Sequence, residues 1–410
     1  EYDPVSQSHQ MIVIRDTTRK WMHIACVHFL PTREKPLTFE ENRLQIDTTT
    51  MTKPRLHIIP TFHKKQVESN STCAFTTKGI RFPEMMAMYG YESYMYHMGE
   101  ECDAKANNIS LCTNREFDIC EEREYGDQDT THLLDSYTAH LDTLHYKIFD
   151  KRIHDKLSKY FRDGDIVCHV FGVSFRGLYS EFPRGIHVET GIGYSYVWAP
   201  YQIFESYAFM HHVMGWKQEY QNAGNIFIAP NYYRKEDFYD EGNIGNYVLW
   251  ANRINVEKGI NTLIEIADRM PEQEFWVFGN SLEDYGMSAR PNIKRYMPIK
   301  TIERKRKTWS EAMCTIMPTR YCEPFGGVHV EGMMCGTPAI TSDYGVFTET
   351  ITNGFNGYRC DTVDGYIDAI RNASSLDRKK ISEDARSKYC LEAVGKTYDT
   401  IFSKIIGKHQ

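Results

Sequence analysis

Tyr321-Cys-Glu-Pro-Phe-Gly-Gly-Val-His-Val-Glu-Gly-Met-Met-Cys-Gly-Thr-Pro-Ala-Ile-Thr341 sets two carboxylates, Glu323 and Glu331, around a glycine pair. The apolar run just before it, Cys314-Thr-Ile-Met-Pro318, reads as a short buried strand, and Pro338-Ala-Ile-Thr341 reads as the next. A helix opening at the glycines joins them, so Glu323 falls in the loop at a strand's carboxyl end, where open parallel sheets bind ligands. Gly326 and Gly327 let helix-start amides come close to an anion, which the helix dipole also favours. Carboxylates only accept hydrogen bonds, so two of them beside an anion site suit the paired hydroxyls of a ribose and a hexose.

Upstream, Tyr247-Val-Leu-Trp-Ala-Asn-Arg-Ile-Asn-Val-Glu-Lys-Gly-Ile-Asn-Thr-Leu-Ile-Glu-Ile-Ala267 runs an apolar strand into Arg253, then Lys258-Gly259. Ile260, Leu263, Ile264 and Ala267 follow at helical spacing. Two cations near a strand's carboxyl end can neutralise a diphosphate, Arg through its fork and Lys as a point charge. Phe275-Trp-Val-Phe-Gly279 reads as the strand after that helix.

Together these segments resemble the retaining GT-B glycosyltransferases, most closely family 4 (group 1), with Glu-Pro/Ser-Phe-Gly followed by Glu-Ala-Met-Ala-Cys-Gly-x-Pro-Val-Ile. Gly332 and Met334 stand where that pattern has alanines, and Asn252 stands where the upstream Gly-Arg motif has glycine. The resemblance implies an α/β protein of two Rossmann-like domains whose parallel sheets face a central cleft. It implies that Glu323 contacts the donor sugar, that Glu331 contacts the ribose, and that Arg253 and Lys258 bind the diphosphate and stabilise the leaving group. The amides of the turn Phe325-Gly326-Gly327-Val328 would meet the sugar and diphosphate, and Gly279 would lie beside the nucleotide. The implied activity is retaining, metal-independent sugar transfer from a nucleoside-diphosphate sugar, with no cofactor beyond that co-substrate. Other readings are a GT-B epimerase, an inverting transferase, or a non-catalytic sugar-binding protein. The acceptor stays open among glycan, lipid, protein and modified base.

Composition agrees. A chain of 410 residues suffices for two cores, and a net charge of −7 with interspersed signs gives no nucleic-acid footprint. Eleven cysteines without a CxxC pair or metal-finger spacing fit a reducing compartment, and no apolar run reaches bilayer-spanning length. These features predict a soluble, cytoplasmic protein.

Residues 1–50 read as an extension before a fresh start at Met51, the alternative being a small β hairpin packed on an edge. Alternating strand and helix patterns assign 51–240 to the first domain and 241–385 to the nucleotide-sugar domain. Residues 386–410 give a helix crossing back to the first domain. Residues 100–138 read as loops with one short strand or helix, and His140 to Phe161 as a long helix. Its basic face and apolar stripe (Ile153, Leu157, Phe161) allow a peripheral membrane contact, although burial of the stripe is the simpler reading.

Four further features carry weaker signals. Thr76-Thr-Lys-Gly79 precedes the first expected helix, so Lys78 and the Gly79 amide either meet donor phosphates or simply start that helix. Gly185-Ile-His-Val-Glu189 reads as a strand, and the two glycines that follow it in Arg184-Gly-Ile-His-Val-Glu-Thr-Gly-Ile-Gly-Tyr194 read as a loop over the cleft, where His187 or Glu189 contacts sugar or acceptor, or else as a tight turn with a satisfied core histidine. His169 carries the same pair of readings. Asp127-Gln-Asp129 spells the metal-binding DxD of a different glycosyltransferase fold, but in a polar loop, and no metal is assigned.

Overall fold

The computed structural model describes residues 53–70, 73–125, 143–172, 175–217, 223–281 and 283–409. The expectations for residues 1–50 and for Asp127-Gln-Asp129 lie outside them. Among the described residues thirteen parallel strands form two sheets. The first takes β1 (Leu56–Ile59), β2 (Ser93–His97), β3 (Asn107–Ser110), β4 (Ile166–His169), β5 (Ile186–Ile192), β6 (Tyr201–Phe204) and β7 (Ile226–Ile228), in the order 3-2-1-4-5-6-7. The second takes β8 (Tyr247–Ala251), β9 (Glu274–Phe278), β10 (Ile293–Tyr296), β11 (Cys314–Met317), β12 (Ala339–Ser342) and β13 (Gly357–Cys360), in the order 10-9-8-11-12-13. Each order reverses direction once, which is the doubly wound pattern expected from alternating strands and helices.

The helices of the first layer are α1 (Ala74–Ala87), α2 (Asn114–Tyr125), α3 (Leu144–Tyr160), α4 (Gly177–Glu181) and α5 (Tyr207–Lys217). Around the second sheet lie α6 (Ile260–Arg269), α7 (Ile302–Glu311), α8 (Gly327–Met334), α9 (Phe347–Thr350), α10 (Val363–Asn372) and α11 (Arg378–Tyr389), and the long α12 (Leu391–Ile406) ends the series. Side-chain caps set several starts: Thr143 accepts from the Tyr146 amide, Thr362 from Gly365 and Asp377 from Lys380. Ile153 and Leu157 of α3 are fully buried beside Phe149, so the apolar stripe of the basic helix belongs to the core. Among the described residues no helix is long and apolar enough to cross a membrane.

Chain crossings connect the two layers. The chain leaves the first layer near Tyr233 and returns at Cys390, and the crossings touch: the Tyr233 amide donates to Tyr389 O (2.9 Å) and the Leu391 amide to Tyr233 O (3.1 Å). After the return, α12 packs on the first sheet, with Leu391, Val394, Tyr398, Ile401, Phe402 and Ile405 in one cluster with Leu56, Phe82 and Ile166.

Three local expectations differ from the structure. Thr76 to Gly79 lies inside α1 rather than before it: the helix starts at Ala74, and Thr76, Lys78 and Gly79 are buried within it. The strand expected at 185–189 is β5, but it runs on through Thr190, Gly191 and Ile192 with all seven residues buried, so the first of the two glycines lies in the sheet and not in a loop. Between residues 100 and 125 there is both a strand, β3, and a helix, α2.

Candidate functional site

The carboxyl ends of β8 and β11 bring the two sequence motifs together. After β8 the chain turns through Arg253 to Lys258, whose amide is held by Asn255 Oδ1 (2.9 Å). Gly259 then starts α6 at φ 85°, and a Cβ there would overlap the Pro318 carbonyl at the end of β11. Only glycine fits both the left-handed backbone and this contact, so it fixes the distance between the two loops. Across that contact Lys258 Nζ pairs with Glu323 Oε2 at 2.6 Å, both side chains about nine-tenths buried. The Lys258 ammonium lies 5.0 Å from the centre of the Tyr321 ring. Burial and the neighbouring Glu323 push the Tyr321 phenol upward, while the exposed Arg253 beside it acts in the opposite sense.

The loop carrying Glu323 ends at Gly326, which caps α8 at φ 75° and ψ 58°. Its left-handed backbone turns the chain so that α8 begins at Gly327, with Val328 in the first turn. Phe325 turns the other way, into the core against Tyr389. Gly332 has a packing reason, since a Cβ there would come within 2.8 Å of Thr315 Cγ2. Gly279, just past β9, lies against the Asn252 carbonyl, which joins the departure at Asn252 to the same edge of the sheet.

One turn into α8, Glu331 is buried, with Oε1 on Lys305 Nζ at 2.7 Å and Oε2 without a protein partner. It lines a cleft together with Lys305 of α7 and with Thr77 and Arg81 of α1, so the cleft lies between the layers of the two sheets. Arg81 is buried, binds Asp237 Oδ2 at 2.8 Å, and leaves its Nε without a partner. An unpaired acceptor and an unpaired donor in one buried cleft suit a ligand with hydroxyl groups. Arg81 and Lys305 were not singled out in the sequence: each is an ordinary cation within a helix, and only the fold brings them to Glu331.

Lys78 and Gly79 do not join this cluster. Lys78 Nζ is paired with Glu205 and donates to Gly191 O at 2.8 Å, all within the first layer. The Gly79 amide lies beyond the four free amides of a helix start that begins at Ala74.

His169, His187 and Glu189 are buried at β4 and β5. His187 Nε2 donates to Phe182 O (3.0 Å), which leaves Nδ1 to accept from His169 Nε2 (3.0 Å). Burial holds both imidazoles in the neutral form. Glu189 accepts from the Trp198 and Ala199 amides (2.8 Å each) and from the Tyr194 hydroxyl (3.1 Å), so it braces the loop after β5. Burial still raises its pKa to about 7 against those three donors. Among the described residues no three His, Cys, Asp or Glu side chains form a group that could hold a metal ion.

Residues 234–388 match the family model described as Glycosyl transferases group 1. The chain is 24% identical over 192 residues to an uncharacterized glycosyltransferase of Methanocaldococcus jannaschii, an overlap of 42% of this chain and 53% of that protein. It therefore spans about half the length of that curated relative. Among solved structures, the sucrose-phosphate synthase of Thermosynechococcus elongatus superposes with TM-score 0.61 at 15% identity, over 87% of this chain and 100% of that one. AviGT4, a glycosyltransferase involved in avilamycin A biosynthesis, gives 0.62 at 12% identity over 87% and 98%. HepE of Anabaena, solved in complex with UDP and glucose, gives 0.59 at 12% identity over 85% and 99%. The chain has the two-domain GT-B fold of these glycosyltransferases.

Proposed function

We propose, taking a group 1 glycosyl transferase match on a GT-B fold as the premise, that this protein moves a sugar from a nucleoside-diphosphate sugar to an acceptor hydroxyl with retention at the anomeric carbon. The observation that carries the reading is the buried Lys258–Glu323 pair (2.6 Å) beside the helix start at Gly326 and Gly327. It puts a cation, helix-start amides and a hydroxyl-accepting carboxylate at one point, with Arg253 beside Tyr321. The diphosphate leaves toward Arg253, Lys258 and the amides, whose preorganised charge stabilises it more as closure removes water.

The acceptor oxygen attacks the anomeric carbon from the face that the diphosphate is leaving. The new C–O bond forms as the C–O bond to phosphate breaks, and the acceptor proton passes to the departing phosphate oxygen. No protein base is required. Glu323 holds sugar hydroxyls, and Glu331, through its unpartnered Oε2, accepts a ribose hydroxyl. Domain limits near residue 240 and residue 385 are part of this reading.

The test is a panel of nucleotide sugars, headed by UDP-sugars because of the HepE neighbour, with the product anomer read by NMR. Retention with EDTA present is expected, and Arg253→Ala, which leaves the buried Lys258–Glu323 pair intact, should slow transfer by roughly two orders of magnitude, the scale of one lost oxyanion donor. An inverted product, an epimerised donor, binding without turnover, or activity that disappears with EDTA and returns with magnesium overturns the reading.

A further inference from the structure

We propose that Ser206 and Glu349 are positioning residues that hold the Glu323 loop in its working geometry from across the cleft, an inference that rests on the transfer reading above. Glu323 is gripped through both of its chain neighbours. On one side Cys322, from the second-sheet layer, is buried among Ile192, Phe204, Phe209 and Val213 of the first. On the other side the Pro324 carbonyl accepts from Ser206 Oγ at 2.7 Å. The Phe209 amide donates to the same Ser206 oxygen (3.2 Å), which leaves its only proton for Pro324.

Ser206 directly precedes α5, and the start of that helix is held by the second layer as well. The Glu349 carboxylate, on α9, accepts from the Tyr207 amide (3.1 Å) and the Ala208 amide (2.6 Å). These charge-assisted bonds also lie along the favourable direction of the helix dipole. The segment carrying Glu349 backs the Glu323 loop too, since a Cβ on Gly345 would stand 3.5 Å from the Glu323 amide. The start of α5, the Glu323 loop and α9 therefore form one contact unit across the two layers. When α5 is docked, Cys322 and Pro324 are both fixed, and the Glu323 carboxylate is aimed at Lys258. When α5 swings away, the loop loses a hydrogen bond, an apolar seat and its backing at once. Neither Ser206 nor Glu349 lines the cleft beside Glu331, and both act on Glu323 through the loop that carries it.

The experiment compares Ser206→Ala, Ser206→Thr and Glu349→Ala in the full chain by hydrogen exchange, by titration with free UDP and by steady-state kinetics. Ser206→Ala and Glu349→Ala should each lower kcat by about tenfold with donor KM and UDP affinity nearly unchanged, the loss expected for one hydrogen bond acting on turnover. Ser206→Thr keeps the hydroxyl and should restore kcat. Without any substrate, the amides of Cys322, Glu323, Phe325, Gly326 and Gly327 should exchange faster in both alanine variants, while β8 and β11 stay protected. Wild-type kcat in Ser206→Ala, or faster exchange confined to 207–209, overturns the proposal. If the wild-type protein turns over no donor, the transfer reading fails while the exchange data still decide whether α5 controls the loop.

Discussion

Removing one partner of a buried ion pair costs about 3–5 kcal/mol, because the other charge is left unpaired. Lys258 and Glu323 are such a pair, so Glu323→Ala would mix a folding defect with a chemical one. Glu323→Gln keeps an oxygen acceptor for Lys258 and should lower turnover with a smaller loss of melting temperature than Glu323→Ala and with UDP affinity near that of the wild type. Glu331→Ala should do the reverse, weakening UDP by roughly 1.5–3 kcal/mol, the worth of a hydrogen bond to a charged group. Calorimetric titration of UDP into both variants checks the split; equal losses contradict the two roles. Both glutamates were legible in the sequence because they belong to one strand-loop-helix segment, although their partners Lys258 and Lys305 lie outside it. Arg81 was not, since its ion pair with Asp237 joins residues 156 positions apart and its place in the cleft depends on how the layers meet. Lys78, whose place before an apolar helix allows either a donor contact or a plain helix start, lies buried against Glu205, a partner 127 positions away that the sequence does not reveal.

Elements with a strong period were read well, as the strands β8, β9 and β11 and the helix α6 show, because each buries one clear apolar set. Helix α2 lacks that signal, but it does have a start signal. Thr113 and Glu116 form a reciprocal capping box, with the Thr113 amide on Glu116 Oε2 (2.9 Å) and the Glu116 amide on Thr113 Oγ1 (3.2 Å). The start of β5 is legible from its apolar run, but its last residues read as a loop because glycine and polar residues there pair internally rather than with solvent. Glu189 on β5 makes a pH prediction. Its pKa rises from 4.5 to about 7 on folding, so the folded state holds this proton more tightly than the unfolded one. Stability from that proton is complete below the unfolded pKa and is lost as pH rises through about 7, up to roughly 3 kcal/mol. Glu189→Gln can still accept from the Trp198 and Ala199 amides. Its melting temperature should fall less than that of the wild type between pH 5 and pH 8, and parallel curves would show that Glu189 does not titrate in that window. Helix α12 makes a packing prediction. A Cβ on Gly395 would come 2.6 Å from Tyr89 Cε2 and 3.0 Å from Met85 Cγ. Gly395→Leu should therefore destabilise the protein by about 1–3 kcal/mol through overpacking against α1, read as a lower melting temperature; an unchanged melting temperature would mean that α1 and α12 can separate.

At the scale of the molecule, the doubly wound sheets were legible because strands and helices alternate and the apolar runs are short. How the layers meet was not, because the contacts across the cleft join residues far apart in the chain: Ser206 to Pro324, Glu349 to Ala208 and Arg81 to Asp237. The paired crossings at Tyr233 and Cys390 make the second sheet with its helices an insertion into the first, entered and left through two neighbouring hydrogen bonds. Residues 234–389 are contiguous and their ends already meet, so as an excised fragment they should fold alone, with cooperative melting and dispersed amide signals; a molten fragment would show that the first layer is needed to shape them. The same arrangement sets an order of events on the ribosome. The core around Leu56, Phe82 and Ile166 needs α12, which emerges only after every strand of the second sheet has been made. The inserted half is thus free to finish first, while the half that starts earlier in the chain waits with an apolar face uncovered. A nascent chain stalled just after α11 would then be a target for chaperones and proteases at its older half, not its newer one.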